Sequence, residues 1–207
     1  MTRISCFCLC VFCAALTAVT SPAQTPEWIW RSSQGQSPTN NETCLLRKTF
    51  TMEGKVNRAV LSVAADDRAG VSVNGSPTLA VNGYERATRR DVTEFLRPGE
   101  NQLTIQATND SSVAGVLVRL ELSLPNRRRE VIVSDASWLA SPVAPTNWAN
   151  AASLGKVGKE PWGDPLKSAF ATAAESLTVP PGFKVELIRS AEAEEGSWIS
   201  MAIDNQG

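Results

Sequence analysis

Apolar and polar side chains alternate with a period of two along several short stretches of the chain. Residues 102–108 alternate in this way, and residues 116–124 keep the alternation over their whole length. Successive side chains of a strand point to opposite faces, so each stretch predicts a strand with one buried and one exposed face. Further strands are predicted at 45–52, 59–65, 70–73, 78–81 and 130–134. Short strands about 8–12 residues apart indicate an antiparallel β-sandwich or barrel.

Turn residues separate these strands. Asn74-Gly75 is a strong hairpin signal because both central positions of that turn need positive φ. A second Asn-Gly turn is predicted at Asn82-Gly83. Residues 91–96 predict a single helical turn, which Pro98 and Gly99 then close.

The pattern changes after residue 134. Tryptophans occur at intervals in a segment that is predicted to be loop-rich. Residues 165–178 are Ala/Ser-rich and are predicted to be a linker. Residues 179–188 and 198–204 again predict strands. Two strands do not form a stable unit in water, so residues 179–207 are expected to be the truncated start of a second domain.

Residues 1–23 are expected to be a signal peptide. Arg3 is followed by an apolar stretch at 4–19 that is too short for a stable membrane anchor, and Ala23 ends a cleavage-type sequence of small residues. A lipoprotein signal at Cys13 is disfavoured because Phe12 before it is too large. The chain is therefore expected in a secreted, periplasmic or cell-surface location, with no membrane span after cleavage.

Composition excludes several kinds of function. The formal net charge is -1, so no basic excess is present to bind nucleic acid. Histidine is absent, which removes the commonest general base, the commonest metal ligand and the Ser-His-Asp triad. Of the 5 cysteines, Cys44 alone remains after cleavage, in an apolar strand where a buried inert thiol is expected.

An ordered set of segments resembles a known family. It comprises Phe50, residues 59–68, residues 71–75, residues 91–93, residues 96–101 and the strand at 115–122. Together they resemble the N-terminal β-sandwich of bacterial alpha-L-rhamnosidases and related glycoside hydrolases, within the galactose-binding-like superfamily. The resemblance extends over about residues 27–164. It implies an all-β, jelly-roll-like antiparallel sandwich at residues 24–164 without a catalytic site of its own.

Residues 179–187, 201–204 and Gly207 are similar to the opening of the β-propeller in secreted planctomycete-type dehydrogenase-like proteins. Those relatives resemble sugar dehydrogenases and often carry a C-terminal haem domain. The resemblance implies that the sandwich has further domains of the same polypeptide as partners. Any haem would belong to such a later domain, and no cofactor is predicted within this chain.

Asp66-Asp67-Arg68 is the most charged constellation. Paired carboxylates suit acid–base chemistry or a Ca²⁺ site. The alternative is a strand-end turn in which Arg68 pairs with a carboxylate and an aspartate caps the turn. Adjacent side chains of an extended chain point to opposite faces, which argues against a convergent pair and favours the turn. No catalytic residue and no metal ligand is therefore assigned.

Sugars bind flat aromatic faces with polar groups around them. Trp28 and Trp30 are expected to share one strand face, either as core or as a platform. Tryptophans in the loop-rich segment either cover the sandwich or meet a ligand, and the loop after Asn82-Gly83 carries aromatic and charged residues. The predicted ligand-binding residues are Asp66, Asp67, Tyr84, Arg86, Trp138 and Trp148.

Three functions remain open on the sequence. The first is a non-catalytic carbohydrate-binding or accessory module of a larger secreted protein. The second is a purely structural domain that packs on a sugar-dehydrogenase-like propeller. The third is a fragment of a glycoside hydrolase whose active site lies beyond the chain. In each case this chain is expected not to be an enzyme by itself.

Overall fold

The computed structural model describes residues 24–31, 38–125, 128–143, 147–167, 178–182 and 184 of the chain. Strands make up most of these residues, with a short 3₁₀ turn at Thr93–Phe95. In chain order the strands are β1 Glu27–Trp30, β2 Glu42–Met52, β3 Arg58–Asp66, β4 Arg68–Val73, β5 Ser76–Asn82, β6 Thr88–Asp91, β7 Gly99–Asn109, β8 Gly115–Ser123, β9 Arg129–Val133, β10 Leu139–Pro142, β11 Ala149–Asn150 and β12 Ala152–Lys156.

The described strands form two antiparallel sheets packed face to face. Sheet A has the order β12-β1-β8-β3-β6, with β9 also paired to β8. Sheet B has the order β11-β10-β2-β7-β4-β5. Most neighbours in space are distant in sequence; β2 and β7, for example, pair along their full length from Glu42↔Asn109 to Met52↔Gly99. This arrangement confirms the predicted all-β antiparallel sandwich.

The core lies between the sheets and follows from the alternation in the sequence. Every second residue of the long strands is buried, including Leu61 and Val63 of β3 and Leu103 and Ile105 of β7, each with 0% exposure. Burying one such side chain stabilises the fold by about 1.5–3 kcal/mol. The intervening residues of β7, such as Gln106, face outward.

The Asn74-Gly75 turn joins β4 to β5 as predicted, with φ of 51° and 82° at the two residues. The Asn74 side chain accepts the Gln102 backbone N–H at 2.9 Å and donates to the Phe95 carbonyl at 2.8 Å. One side chain thus ties the hairpin to β7 and to the 3₁₀ turn. The Asn82-Gly83 turn has a different role, because it leads the chain from β5 in sheet B towards β6 in sheet A.

The expectation that Trp28 and Trp30 share one face is wrong. The pairing of β1 with β12 shifts register between Trp28 and Ile29, which breaks the alternation. Trp30 therefore packs between the sheets. Trp28 packs on the outer side of sheet A in a second apolar group, called here the outer cluster: Trp28, Ala64, Ala87, Leu117 and Trp162.

The segment predicted to be loop-rich contains the short strands β10, β11 and β12. These strands have two to five residues each, too short to show a clear period, and β10 pairs with β2 while β12 pairs with β1. Contacts of the sandwich extend to Pro165, whose carbonyl accepts the Ala87 N–H at 3.0 Å.

Several predicted segments lie outside the described residues. They are the signal peptide at 1–23, most of the linker at 165–178 and nearly all of the second domain at 179–207. Within the part of the chain that is described, no helix has the length and apolar character needed to cross a membrane.

Candidate functional site

Three connections meet at one end of the sandwich: the bend between β3 and β4, the β5–β6 loop and the β7–β8 loop. The Gly83 N–H donates to the Asp67 carbonyl at 2.7 Å, and the Ala65 N–H donates to the Gly83 carbonyl at 3.3 Å. The Asp67 N–H donates to the Thr108 carbonyl of β7 at 3.2 Å. Backbone bonds thus lock the three connections together. Residues 66–67, 83–86 and 110–113 are called here the loop edge.

Asp67 holds the β7–β8 loop in place. Its Oδ2 accepts the backbone N–H of Asp110 at 2.6 Å and that of Ser111 at 3.1 Å. The exposed Arg68 guanidinium donates two hydrogen bonds to the Asp110 carboxylate, from Nε to Oδ2 at 3.0 Å and from Nη2 to Oδ1 at 2.8 Å. The hydrogen bonds between the two side chains, together with their opposite charges, raise the pKa of Arg68 and lower the pKa of Asp110. The geometry is that of the turn with an ion pair, the alternative favoured on the sequence.

Asp66 ends β3 and is buried on the outer side of sheet A, with 5% exposure. Its Oδ2 accepts the indole N–H of Trp162 at 2.7 Å. The Trp162 ring stacks on Trp28 with centroids 4.9 Å apart and 26° between the planes. Asp66 is thus fixed against a pair of stacked indoles rather than directed into solvent.

The pKa of Asp66 is raised. Burial is the main cause; the Trp162 hydrogen bond acts in the opposite direction, and Asp67 adds both charge repulsion and a hydrogen bond. The two carboxylates nevertheless have separate partners, the Trp162 indole for Asp66 and the β7–β8 loop for Asp67. Asp67 lies in the bend between two strands instead of in an extended strand, so its carboxylate acts directly on its neighbour.

The β5–β6 loop supplies Tyr84, Glu85 and Arg86. The half-buried Tyr84 ring packs against the outer cluster, and Arg86 is exposed. The Glu85 carboxylate lies over Gly83, with Oε2 2.7 Å from where a Cβ on that glycine would stand, and its charge also raises the pKa of Asp66. Gly83 has φ of +88°, a conformation that favours glycine, whereas the exposed Glu85 side chain could move away from an added Cβ.

The two other predicted ligand-binding residues lie elsewhere. Trp138 has 0% exposure, packs in the core and donates its indole N–H to the Val133 carbonyl at 2.8 Å, so the structure does not bring it to a surface where a sugar would bind. Trp148 is partly exposed, with the Arg47 guanidinium 4.1 Å from its ring centre. Arg47 is four residues along β2 from Thr43, the partner of Thr108, which places it about 13 Å further along the sheet than the end where the loop edge begins.

Four of the six predicted residues are thus brought together: Asp66, Asp67, Tyr84 and Arg86. Glu85, Trp162 and the loop 110–113 join them, although they were not among the predicted ligand-binding residues. Two sequence features could have indicated Glu85 as a site residue: it is next to Tyr84, and it follows the Asn82-Gly83 pair. The contact between Trp162 and Asp66 joins residues 96 positions apart, and no local pattern indicates it.

The loop edge offers hydrogen-bond acceptors beside a partly exposed ring. Carboxylate oxygens of Asp67 and Glu85, the exposed Ser111 and Ser112, the Tyr84 ring and the exposed Val113 lie on its three connections. Such a mixture of polar and apolar surface suits a small, uncharged, hydroxyl-rich ligand. Among the described residues, no three His, Cys, Asp or Glu side chains are grouped so that they could hold a metal ion.

No protein family model matches the chain. The alpha-L-rhamnosidase of Streptomyces avermitilis is 28% identical over 171 residues, which cover 72% of this chain and 16% of that enzyme. The solved structure of a Streptomyces avermitilis alpha-L-rhamnosidase with L-rhamnose matches 70% of this chain with a TM-score of 0.64 and 26% identity, again over 16% of the enzyme. The chain therefore spans about a sixth of the length of that relative.

Lectin structures from Pleurotus ostreatus are also similar. The apo form matches 68% of this chain and 44% of its own, with a TM-score of 0.62 and 29% identity. The complex with GalNAc matches 69% of this chain and 47% of its own, with a TM-score of 0.61 and 26% identity. Over about two thirds of its length the chain is thus similar both to a lectin and to part of a rhamnosidase, and its fold is the predicted galactose-binding-like sandwich.

Proposed function

We propose that this chain is a non-catalytic carbohydrate-binding module of a larger exported protein and that it binds sugar at the loop edge. The observation that carries the proposal is the likeness, at 26–29% identity and over the same two thirds of the chain, to lectins and to part of a rhamnosidase. One of those lectin structures holds GalNAc and the rhamnosidase structure holds L-rhamnose. Both ligands are neutral monosaccharides, which is the chemistry that suits the loop edge.

Each group of the loop edge has a role in this proposal. The Glu85 carboxylate and the Oδ1 oxygen of Asp67, whose Oδ2 is held by the β7–β8 loop, accept hydrogen bonds from sugar hydroxyls. Such bonds to charged acceptors are the stronger kind. The exposed part of the Tyr84 ring covers the C–H surface of the sugar. Asp66 and Trp162 act beneath them, because their mutual bond and the stacking on Trp28 hold the β3–β4 bend in position.

The module is proposed to bind without catalysis. The related rhamnosidase is an enzyme, but this chain matches only 16% of it. The Asp66 carboxyl is buried against Trp162, and Asp67 is occupied with two backbone N–H groups. Neither is placed as a solvent-facing acid–base pair, and the proposal requires no cofactor. The signal-like sequence of residues 1–23 supports export. In this proposal any activity of the whole protein belongs to other domains.

Calorimetric titration of the chain with L-rhamnose and with GalNAc tests the proposal. We expect weak binding of at least one sugar and a loss of about tenfold or more in Glu85→Gln and in Tyr84→Ala, since a lost hydrogen bond to a charged group corresponds to about 1.5–3 kcal/mol. Glu53→Gln is the matched control: Glu53 is also exposed, but it lies in the β2–β3 connection. If neither these sugars nor any member of a broad glycan array bound, the structural role would stand instead.

A further inference from the structure

Sheet B carries a groove on its outer face, next to the loop edge. Its volume is about 740 Å³, within the range of ligand sites. Its described lining comes from four neighbouring strands, β2, β7, β4 and β5. With about 4.8 Å between adjacent strands, the groove extends about 14 Å across the sheet. Its central row is formed by directly paired residues: Leu45, Gln106, Gly70 and Ala80.

Gly70 forms the floor of this groove. It lies inside β4 and pairs regularly with Gln106 on one side and Ala80 on the other. The register shift between β4 and β5 begins at the next residue, between Val71 and Ser72, and its extra residue is in β5. Its φ is not positive, and a Cβ at this position would meet nothing within 4 Å. The described chain therefore gives no steric reason for a glycine, which weakens a strand interior. Close approach of a ligand is one of the few reasons for a glycine in such a place.

Most polar side chains that line the groove are neutral, and several of them make no hydrogen bond within the described part of the chain. Within the described part of the chain, the side chains of Ser72, Asn82 and Gln106 line the groove and make no hydrogen bond. The one charged residue of the lining is Arg68, and its guanidinium is already bound at two points by Asp110. The surface thus offers hydroxyl and amide groups without free charge, which complements a neutral chain of sugars better than an acidic polymer or a charged peptide.

Trp148 borders the same face. Arg47, which lies over its ring, is the β2 partner of Thr104, and Thr104 lines the groove. The partly exposed indole therefore lies on the β2 side, where an aromatic surface extends the polar groove. This placement separates Trp148 from the loop-edge residues with which it was grouped on the sequence.

We propose that this groove is a second carbohydrate site, which binds a neutral oligosaccharide along the row from Leu45 to Ala80. The loop edge takes a single sugar unit, whereas the groove takes several consecutive units. The groove adjoins the loop edge at Arg68 and Asn82, but its central row and the sugar-binding groups of the loop edge are different residues, so either proposal can fail without the other.

Gly70→Leu places a side chain in the groove without positive-φ strain, and Gly54→Leu is the matched control at another glycine with open space around it. The probes are the neutral hexasaccharides of β-1,4-galactan, β-1,4-mannan and β-1,4-glucan, with hexagalacturonate as the charged comparison. We expect at least one neutral hexasaccharide to bind the wild type, and Gly70→Leu to weaken it tenfold or more. Gly54→Leu should bind it as the wild type does.

Circular dichroism confirms that each variant is folded, and Gln106→Ala is a second variant that removes one of the unengaged amides without adding bulk. The proposal is overturned if no neutral hexasaccharide binds at millimolar concentration, if Gly70→Leu binds as well as the wild type, or if hexagalacturonate binds more tightly than every neutral probe.

Discussion

Gly115 offers the sharpest test of how the outer cluster is packed. It begins β8 and lies against both of the stacked indoles: an added Cβ would stand 3.1 Å from Trp28 Cε3 and 3.2 Å from Trp162 Cζ2. Ordinary carbon–carbon contacts are about 3.5–4.0 Å, so in Gly115→Ala each ring has to move by a few tenths of an ångström. Neither ring moves freely, because Trp28 is completely buried and Trp162 is bonded to Asp66 at 2.7 Å.

Adding one methyl group to a packed interior of this kind costs about 1–3 kcal/mol. Part of this cost is the weakened stacking of the indoles, which contributes about 0.5–1.5 kcal/mol for such pairs. We therefore expect Gly115→Ala to lower the free energy of unfolding by about 1–3 kcal/mol. For a chain of this size each kcal/mol lowers the midpoint of thermal unfolding by about 2–4 °C.

Urea unfolding followed by far-UV circular dichroism measures this loss without relying on the fluorescence of the displaced tryptophans. Gly70→Ala is the matched control, because the same added methyl group meets nothing within 4 Å in β4. It should be as stable as the wild type or up to about 1 kcal/mol more stable, since alanine restricts the unfolded chain. If Gly115→Ala were as stable as Gly70→Ala, the stacked packing of Trp28 and Trp162 around Gly115 would be refuted.

Other predictions concern buried polar groups. The raised pKa of Asp66 means that its contribution to stability is complete below the ordinary pKa of an aspartate and is lost as the pH rises through the raised value. Asp66→Asn should therefore gain stability relative to the wild type as the pH rises above the ordinary pKa of aspartate, and urea titrations that show a constant difference at all pH values would contradict this. Ser134 Oγ donates to the Glu27 carbonyl at 2.6 Å and accepts the Val118 N–H at 2.9 Å, so Ser134→Ala should lose about 1–3 kcal/mol in the same assay, and an unchanged stability would show that these bonds contribute little. Burial raises the pKa of Cys44 to about 12, so a thiol reagent should label it at neutral pH only as fast as the chain unfolds, and rapid labelling of the folded chain would contradict its burial.

The long strands were predictable because their alternation encodes which face is buried. Strands β3, β7 and β8 lie within two or three residues of the predicted ranges. The short strands β10 and β12 were not predictable, since they have too few residues for a period and exist through pairing with β2 and β1. The different faces of Trp28 and Trp30 depend on a register shift that is set by β12, more than 100 residues further along the chain.

The candidate site was predictable to the extent that its residues are close in sequence. Asp66, Asp67 and Tyr84 lie in polar connections next to clear strands, and such positions are where ligand sites tend to be. The burial of Trp138 and the bond between Trp162 and Asp66 depend instead on long-range packing. The tertiary fold therefore decides the role of each tryptophan: one lies in the core, one positions a carboxylate and one borders the groove.

Titration of the ¹⁵N-labelled chain with L-rhamnose and with GalNAc, followed by NMR, tests most directly whether sugar binds at the loop edge. The account predicts that the largest shifts of at least one titration fall on the backbone signals of residues 66–67, 83–86 and 110–113 and on the indole signal of Trp162, while Gly70 and Gln106 are unaffected by a single sugar unit. Shifts that were centred elsewhere in the sandwich, or no shifts at millimolar concentrations of either sugar, would contradict it.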